Sequence, residues 1–154
     1  MTTPILYTDT SAVRAAVGIK ETEVPDTMLT DQGMERQLKT ALYGWLPSYE
    51  ALYDAGNASG ATEQEAYIKD LLVSYCLFFI SVRLIEMVLA LRRQVGDGKS
   101  QISRFDTDYK TLLELYTKRR DEIQTLIEDQ ITPSAGGVEY FGKATPDYDP
   151  VSNT

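Results

Sequence analysis

The chain has 154 residues, 43% of them hydrophobic, with a formal charge of −8 and no histidine. That length and apolar content suit one domain with a real core, while the acidic balance excludes a nucleic-acid groove reader, which needs a concentrated basic face. Without histidine the commonest general base and the commonest metal ligand are both missing.

The N-terminal stretch MTTPILYTDTSAV lacks a basic segment followed by an apolar one, so no secretory signal is expected. It reads as an extended start through Thr3 to Tyr7. Thr8 to Thr10 then offer N-cap candidates for a short helix with Val13, Ala16 and Val17 at helical spacing and Gly18 as its stop. A link from Lys20 to Val24 leads to Pro25-Asp26, where Asp26 is expected to cap a second helix carrying Met28, Leu29, Leu38, Leu42, Trp45 and Leu46. Gly33 and Gly44 each cost that helix roughly 1 kcal/mol against alanine, so its first turns are expected to form a separate piece. Pro47 kinks or ends it, and Ser48 recaps a continuation, SYEALYDA, with Leu52 and Tyr53 facing inward. The following DAGNASGA is expected at the surface as a turn over Gly56 to Gly60. Asn57-Ala58-Ser59 within it matches a glycosylation sequon, and without secretion it means only a polar loop.

Thr62 to Val95 organises the rest. Thr62 with Glu65 three residues on forms a capping box, and nothing interrupts the helix before Gly96-Asp97-Gly98, giving a rod of roughly 50 Å. Its middle, with Leu72, Val73, Tyr75, Leu77, Phe78, Phe79 and Ile80, is apolar in every direction, so other protein or lipid must surround it. A lipid span needs about 18 or more such residues, and Asp70 and Arg83 bound a shorter run, which favours a core helix. Arg83 and Glu86 can pair on one face. Cys76, the only cysteine, lies inside the apolar run and reads as a small core residue in a reducing compartment.

Past the GDGKSQIS loop, a last helix is expected from Asp106 to Gln130, with Phe105, Tyr109, Leu112, Leu113, Tyr116, Ile123, Leu126 and Ile127 on its buried face. Lys118, Arg119 and Arg120 beside Asp121 and Glu122 read as solvated charge. From Thr132 the periodicity stops. The segment TPSAGGVEYFGKATPDYDPVSNT is expected to be an extended tail reaching up to about 75 Å. Val138, Tyr140, Phe141 and Tyr148 are anchors that a purely solvating segment lacks; either the tail folds back on its own helices or it docks onto another chain.

No catalytic constellation emerges. Gly98-Lys99-Ser100 resembles the end of a phosphate-binding loop, but Arg93 stands where the first glycine belongs and a helix precedes it. Asp106-Thr107-Asp108 begins like a calcium loop, yet Lys110 and Thr111 occupy the next ligand and the turn glycine; an N-cap role explains the aspartates better. Paired carboxylates such as Glu63 and Glu65, or Glu128 and Asp129, sit at helix ends or on surfaces, and Cys76 has no base to activate it. The expectation is no enzyme, no catalytic residue, no cofactor and no metal.

Several stretches together resemble one family. YTDTSAVRAAVGIKETEVPD (Tyr7 to Asp26), the long apolar helix, the Gly-rich loop, Arg104-Phe105 into Asp108-Tyr109, Leu112 with Tyr116, and the Pro-rich aromatic ending Asp149-Pro150-Val151 are similar to head-to-tail adaptor (connector) proteins of tailed bacteriophages. The resemblance covers nearly the whole chain by architecture. It implies an all-α fold: a small helical bundle around one long central helix over residues 1–131, with an extended C-terminal tail over 132–154. It further implies a structural virion protein assembled in the host cytoplasm, about twelve copies forming a homo-oligomeric ring beneath the portal protein at the head-tail interface. Such a ring extends the DNA channel, passes DNA without reading its sequence, touches no membrane, and docks tail components (terminator, nozzle or tube proteins).

On that reading Val138, Tyr140, Phe141, Pro146, Tyr148 and Pro150 bind the portal or a neighbouring subunit. Leu6 and Tyr7, with Lys99 and Gln101 in the second loop, are candidates for neighbour or tail contacts. A soluble helical regulator or interaction module without a virion role is the alternative.

Overall fold

In the computed structural model the described residues are 4–30, 32–95 and 102–132, with side chains at 4–30, 33–90 and 108–132. Among the described residues the fold is all-α apart from one small hairpin. Its elements are β1 (Pro4–Ile5), β2 (Thr8–Asp9), α1 (Thr10–Val17), α2 (Asp26–Thr30), α3 (Gln32–Trp45), α4 (Tyr49–Asn57), α5 (Glu63–Val95) and α6 (Ile102–Ile131).

The hairpin was not expected. β1 and β2 pair antiparallel, Pro4 opposite Asp9 and Ile5 opposite Thr8, so the turn is Leu6-Tyr7, with Leu6 in the left-handed region at φ 51°. Tight hairpins normally place Gly or Asn there. Tertiary packing holds this one: Ile5 is fully buried, and Leu6 and Tyr7 rest against the core.

Helix starts and stops follow local chemistry. Asp9 caps α1, its carboxylate accepting from the Ala12 N–H at 2.8 Å, and Gly18 ends it in the left-handed conformation at φ 73°. The capping box on α5 closes in both directions: Glu65 accepts from the Thr62 N–H at 2.7 Å, and the Thr62 hydroxyl accepts from the Glu65 N–H at 3.2 Å. The expected break in the second helix separates α2 from α3, and α3 stops before Pro47. Ser48 occupies the N-cap position of α4 without a side-chain bond to it.

Three expectations need correction. Asp26 is the first residue of α2 and pairs with Arg14, rather than serving only as a cap. Helix α6 begins at Ile102, so Asp106 and Asp108 lie inside it and are not its N-cap. Gly56 is not part of a surface turn: α4 continues to Asn57, and Gly56 is buried where α4 crosses α5. A Cβ there would stand 2.4 Å from the Glu65 carbonyl oxygen and 2.6 Å from the Lys69 Cβ.

The core gathers on α5. Leu72, Cys76, Ile80, Leu84 and Ile85 are fully buried, each such aliphatic side chain worth about 1.5–3 kcal/mol by removal from water. The helices α1, α3, α4 and α6 pack around it. Two polar ties fix the layers: the Tyr116 hydroxyl donates to the Ala16 carbonyl at 2.5 Å, joining α6 to α1, and the Trp45 indole N–H donates to the Tyr75 hydroxyl at 3.3 Å, joining α3 to α5. Helix α6 runs antiparallel to α5: Gln64 reaches the Gln130 carbonyl, and Phe78 meets Tyr116 edge-on at 5.1 Å. On α6 Ile123 and Ile127 are buried as expected, whereas Leu126 is 42% exposed, because the inward stripe is narrower than the apolar pattern suggested.

By length and composition Glu63–Ala90 of α5 is apolar enough to cross a membrane, yet 61% of its most apolar window is buried inside the protein. The helices around it already supply the surroundings that such a sequence requires.

Candidate interaction surface

A recess lies where the link after α1, helix α2, the second half of α5 and the first half of α6 converge. It is a cavity of about 180 Å³ lined by Ile19, Glu23, Val24, Met28, Met87, Val88 and Tyr109. A second hollow continues from it along α3, sharing Met28 and Met87 and adding Gly33, Met34, Gln37, Arg83 and Glu86. Three methionines therefore line two adjoining hollows, the first mainly apolar and the second of mixed polarity, with Met28 39% exposed. Methionine is unbranched and polarisable, and it adapts to the shape of whatever packs on it.

Local structure holds the near wall. The Glu23 and Val24 N–H groups both donate to the Lys20 carbonyl, at 3.0 and 3.1 Å, and Glu23 accepts from the Lys20 N–H at 2.9 Å. Arg14, 5% exposed, points from α1 into this link. Its guanidinium donates to Asp26 at 2.5 Å and to the Val24 carbonyl at 3.3 Å. A buried cation is tolerated only when its donors are met, so the Arg14 pair positions the link that forms the wall. The rim carries both signs: Arg83 pairs with Glu86 at 2.9 Å, as their spacing predicted, and its guanidinium lies 5.5 Å from the Phe79 ring centre.

Of the residues singled out in the sequence, Leu6 and Tyr7 lie in the hairpin turn. Tyr7 stacks on Tyr53 with ring centres 3.7 Å apart and meets Tyr49 edge-on at 6.3 Å. Burial, then the neighbouring Tyr49, pushes its phenol well above the ordinary range. Much of both side chains is thus spent on their own chain. Lys99, Gln101, Val138, Tyr140, Phe141, Pro146, Tyr148 and Pro150 lie outside the described residues, as do the glycine-rich loop and the tail.

The charged band on α6 is solvated, with Arg119 on Glu122 at 3.0 Å and Arg120 on Asp121 at 2.7 Å. Cys76 is fully buried, and burial pushes its thiol up to about 12 against a small opposing effect from the Tyr7 backbone. Among the described residues no group of three His, Cys, Asp or Glu side chains is placed to hold a metal ion.

Sequence reasoning missed the methionine surface. It read Met28 as one apolar position of a helix and gave Met34 and Met87 no role. The available signal was that all methionines but Met1 fall at helical positions beside polar neighbours; their convergence is a tertiary fact. No protein family, no curated protein and no solved structure matches this chain.

Proposed function

We propose that the chain is a structural assembly protein, a head-to-tail adaptor that forms a ring of about twelve copies beneath a phage portal, extends the DNA channel and provides the tail's docking surface. In this reading residues 1–131 form a helical bundle domain around α5, and residues 132–154 are an extended tail whose aromatic and proline residues engage the portal or a neighbouring subunit. Portal, tail components and further copies are the partners, the virion's head-tail interface is the location, and no chemistry is performed.

The observation that carries the proposal is the combination of a stiff frame with an open adhesive patch. Helix α5, 33 residues long, is packed by four other helices, while toward its far end an apolar recess stays open among the described residues. A subunit that must keep its shape in a closed ring and still adhere to several neighbours needs both properties. The net charge of −8 suits a channel that lets DNA pass without gripping it.

The test is reconstitution with the portal ring of the same genome, imaged by electron microscopy, for the full chain and for a chain ended at Thr132. A ring added by the full chain alone supports the adaptor and places the tail at the interface. Binding by neither form refutes the adaptor. The same open patch also fits a soluble helical interaction module, which would bind a non-virion protein and leave the portal bare.

A further inference from the structure

The methionine-lined cavity has the size of one ring. A dry cavity of roughly 150 Å³ accepts a benzene, and this one measures about 180 Å³ between Val24, Met28, Met87 and Tyr109. Thioether sulfur packs favourably against aromatic edges. The residues outside the described structure include one compact aromatic segment, Val138-Glu139-Tyr140-Phe141, followed at 143 by lysine.

Reach decides whose segment can enter. The described chain ends just past α6, at the opposite end of that helix from Tyr109. Along a helix, Tyr109 to Ile131 spans about 33 Å at 1.5 Å per residue. From Thr132 to Tyr140 or Phe141 a fully extended chain covers at most about 29 to 32 Å, so a ring of the same chain arrives at the cavity only with nearly every intervening residue at full stretch, a limit that a second copy's segment does not meet. Tyr148 can reach it, but its flanking Asp147 and Asp149 have no cation after Lys143 and would meet Glu23, the charged residue in the lining of the cavity itself. The Val138 to Lys143 segment balances Glu139 with Lys143 and meets a rim that likewise carries both signs.

We propose that the cavity between α2, α5 and α6 is the socket for the Val138–Lys143 segment of a second copy of this chain, one ring of the Tyr140-Phe141 pair entering between Met28 and Met87. The tail of each subunit thereby ties it to a neighbour. The inference rests on copies of the chain meeting, as the ring reading requires, and requires no portal.

The experiment uses full-length chains with one introduced cysteine each, Met28→Cys in one and Phe141→Cys in the other. Cys76, fully buried, is shielded from the oxidant. Mixed at high concentration and mildly oxidised, they should form a disulfide-linked heterodimer at least fivefold in excess of either homodimer, and Met87→Arg in the first chain should abolish it. In parallel, a fluorescent peptide of residues 136–145 is titrated against the full chain carrying Phe141→Ala. Met28→Lys, at an exposed position with folding verified by circular dichroism, should weaken that binding at least tenfold. A peptide that does not bind at millimolar concentration, equal binding with and without Met28→Lys, or a heterodimer no more abundant than either homodimer would each overturn the socket. Because no portal is present, a failed socket beside a successful portal reconstitution removes the socket alone, and the reverse pair of outcomes removes the adaptor alone.

Discussion

Alanine in place of Gly56 should destabilise the protein, although the same change at Gly44 should stabilise it. Both glycines are helical, and alanine in a helix gains roughly 0.5–1 kcal/mol by restricting the unfolded chain. At Gly44 nothing lies within 4 Å of the added methyl group, so that gain is kept. At Gly56 the methyl would sit 2.4 Å from the Glu65 carbonyl oxygen and 3.1 Å from its carbonyl carbon. These are backbone atoms of the first turn of α5, where Glu65 also closes the capping box, so relief requires α4 to move off α5 as a unit.

Overpacking of this kind costs about 1–3 kcal/mol, which leaves Gly56→Ala a net loss of about 1–2 kcal/mol after the helix gain. Urea unfolding followed by circular dichroism should show the midpoint falling by roughly 0.5–1 M at unchanged slope, and the melting temperature falling by about 2–8 °C. Gly44→Ala should move both upward by about half as much or less. A Gly56→Ala protein as stable as the parent would mean that α4 does not approach α5 backbone to backbone, and the packing derived for that crossing would be wrong.

Cys76 should resist Ellman's reagent in the folded protein at pH 8 and react fully in urea, since burial pushes its thiol up to about 12; prompt reaction without denaturant would place it at the surface. Asp26→Ala leaves the buried Arg14 guanidinium without its carboxylate and should cost about 3 kcal/mol in urea unfolding, whereas Arg14→Met should cost less because no orphan charge remains. Asp9 is held below the usual carboxylate range first by the Ser11 hydroxyl and then by the Ala12 N–H. Its contribution is complete above the unfolded-state value and is lost as pH falls through the lower folded-state value. Asp9→Asn keeps a capping oxygen without the titration, so its stability should fall less than the parent's between pH 5 and pH 2; parallel acid limbs would show that the cap does not depend on charge.

What was legible in the sequence was local in its physics. The α1 stop at Gly18, the α5 capping box and the Arg83 to Glu86 pair depend on residues three or four apart, and each stands where its spacing puts it. The start of α6 misled because aspartates favour both caps and first turns, and Asp106 and Asp108 lie just inside a helix already begun at Ile102. The hairpin escaped notice because Leu6 carries its positive φ without the glycine or asparagine that would announce it. Gly56 looked like one more loop glycine because its reason is a partner backbone nine residues ahead across a turn. The methionine cavity was least accessible of all, since Met28 and Met87 are far apart in sequence and line one cavity only in the folded chain, beside the link that Arg14 holds through the Val24 carbonyl.

The pattern of cover along α5 explains why an apolar groove opens where it does. A helix that is apolar on every side must be enclosed on every side. Near its start α4 and α6 do this, Gly56 lying against Glu65 and Gln64 reaching Gln130, and at mid-length α3 joins them through Trp45 and Tyr75, with α1 packing on it as well. Toward its end Leu84, Ile85 and Leu89 remain buried while Met87 and Val88 are only half covered, facing Met28 across the groove. Were the chain to remain a lone globule, lysine or glutamate at Met28 would serve solubility without loss of core contacts, because that side chain is 39% exposed. A flexible apolar residue there instead lowers the cost of packing against a second surface and raises the cost of meeting none. Among the described residues the groove therefore marks the place where packing of the helices around α5 ends with apolar surface left over.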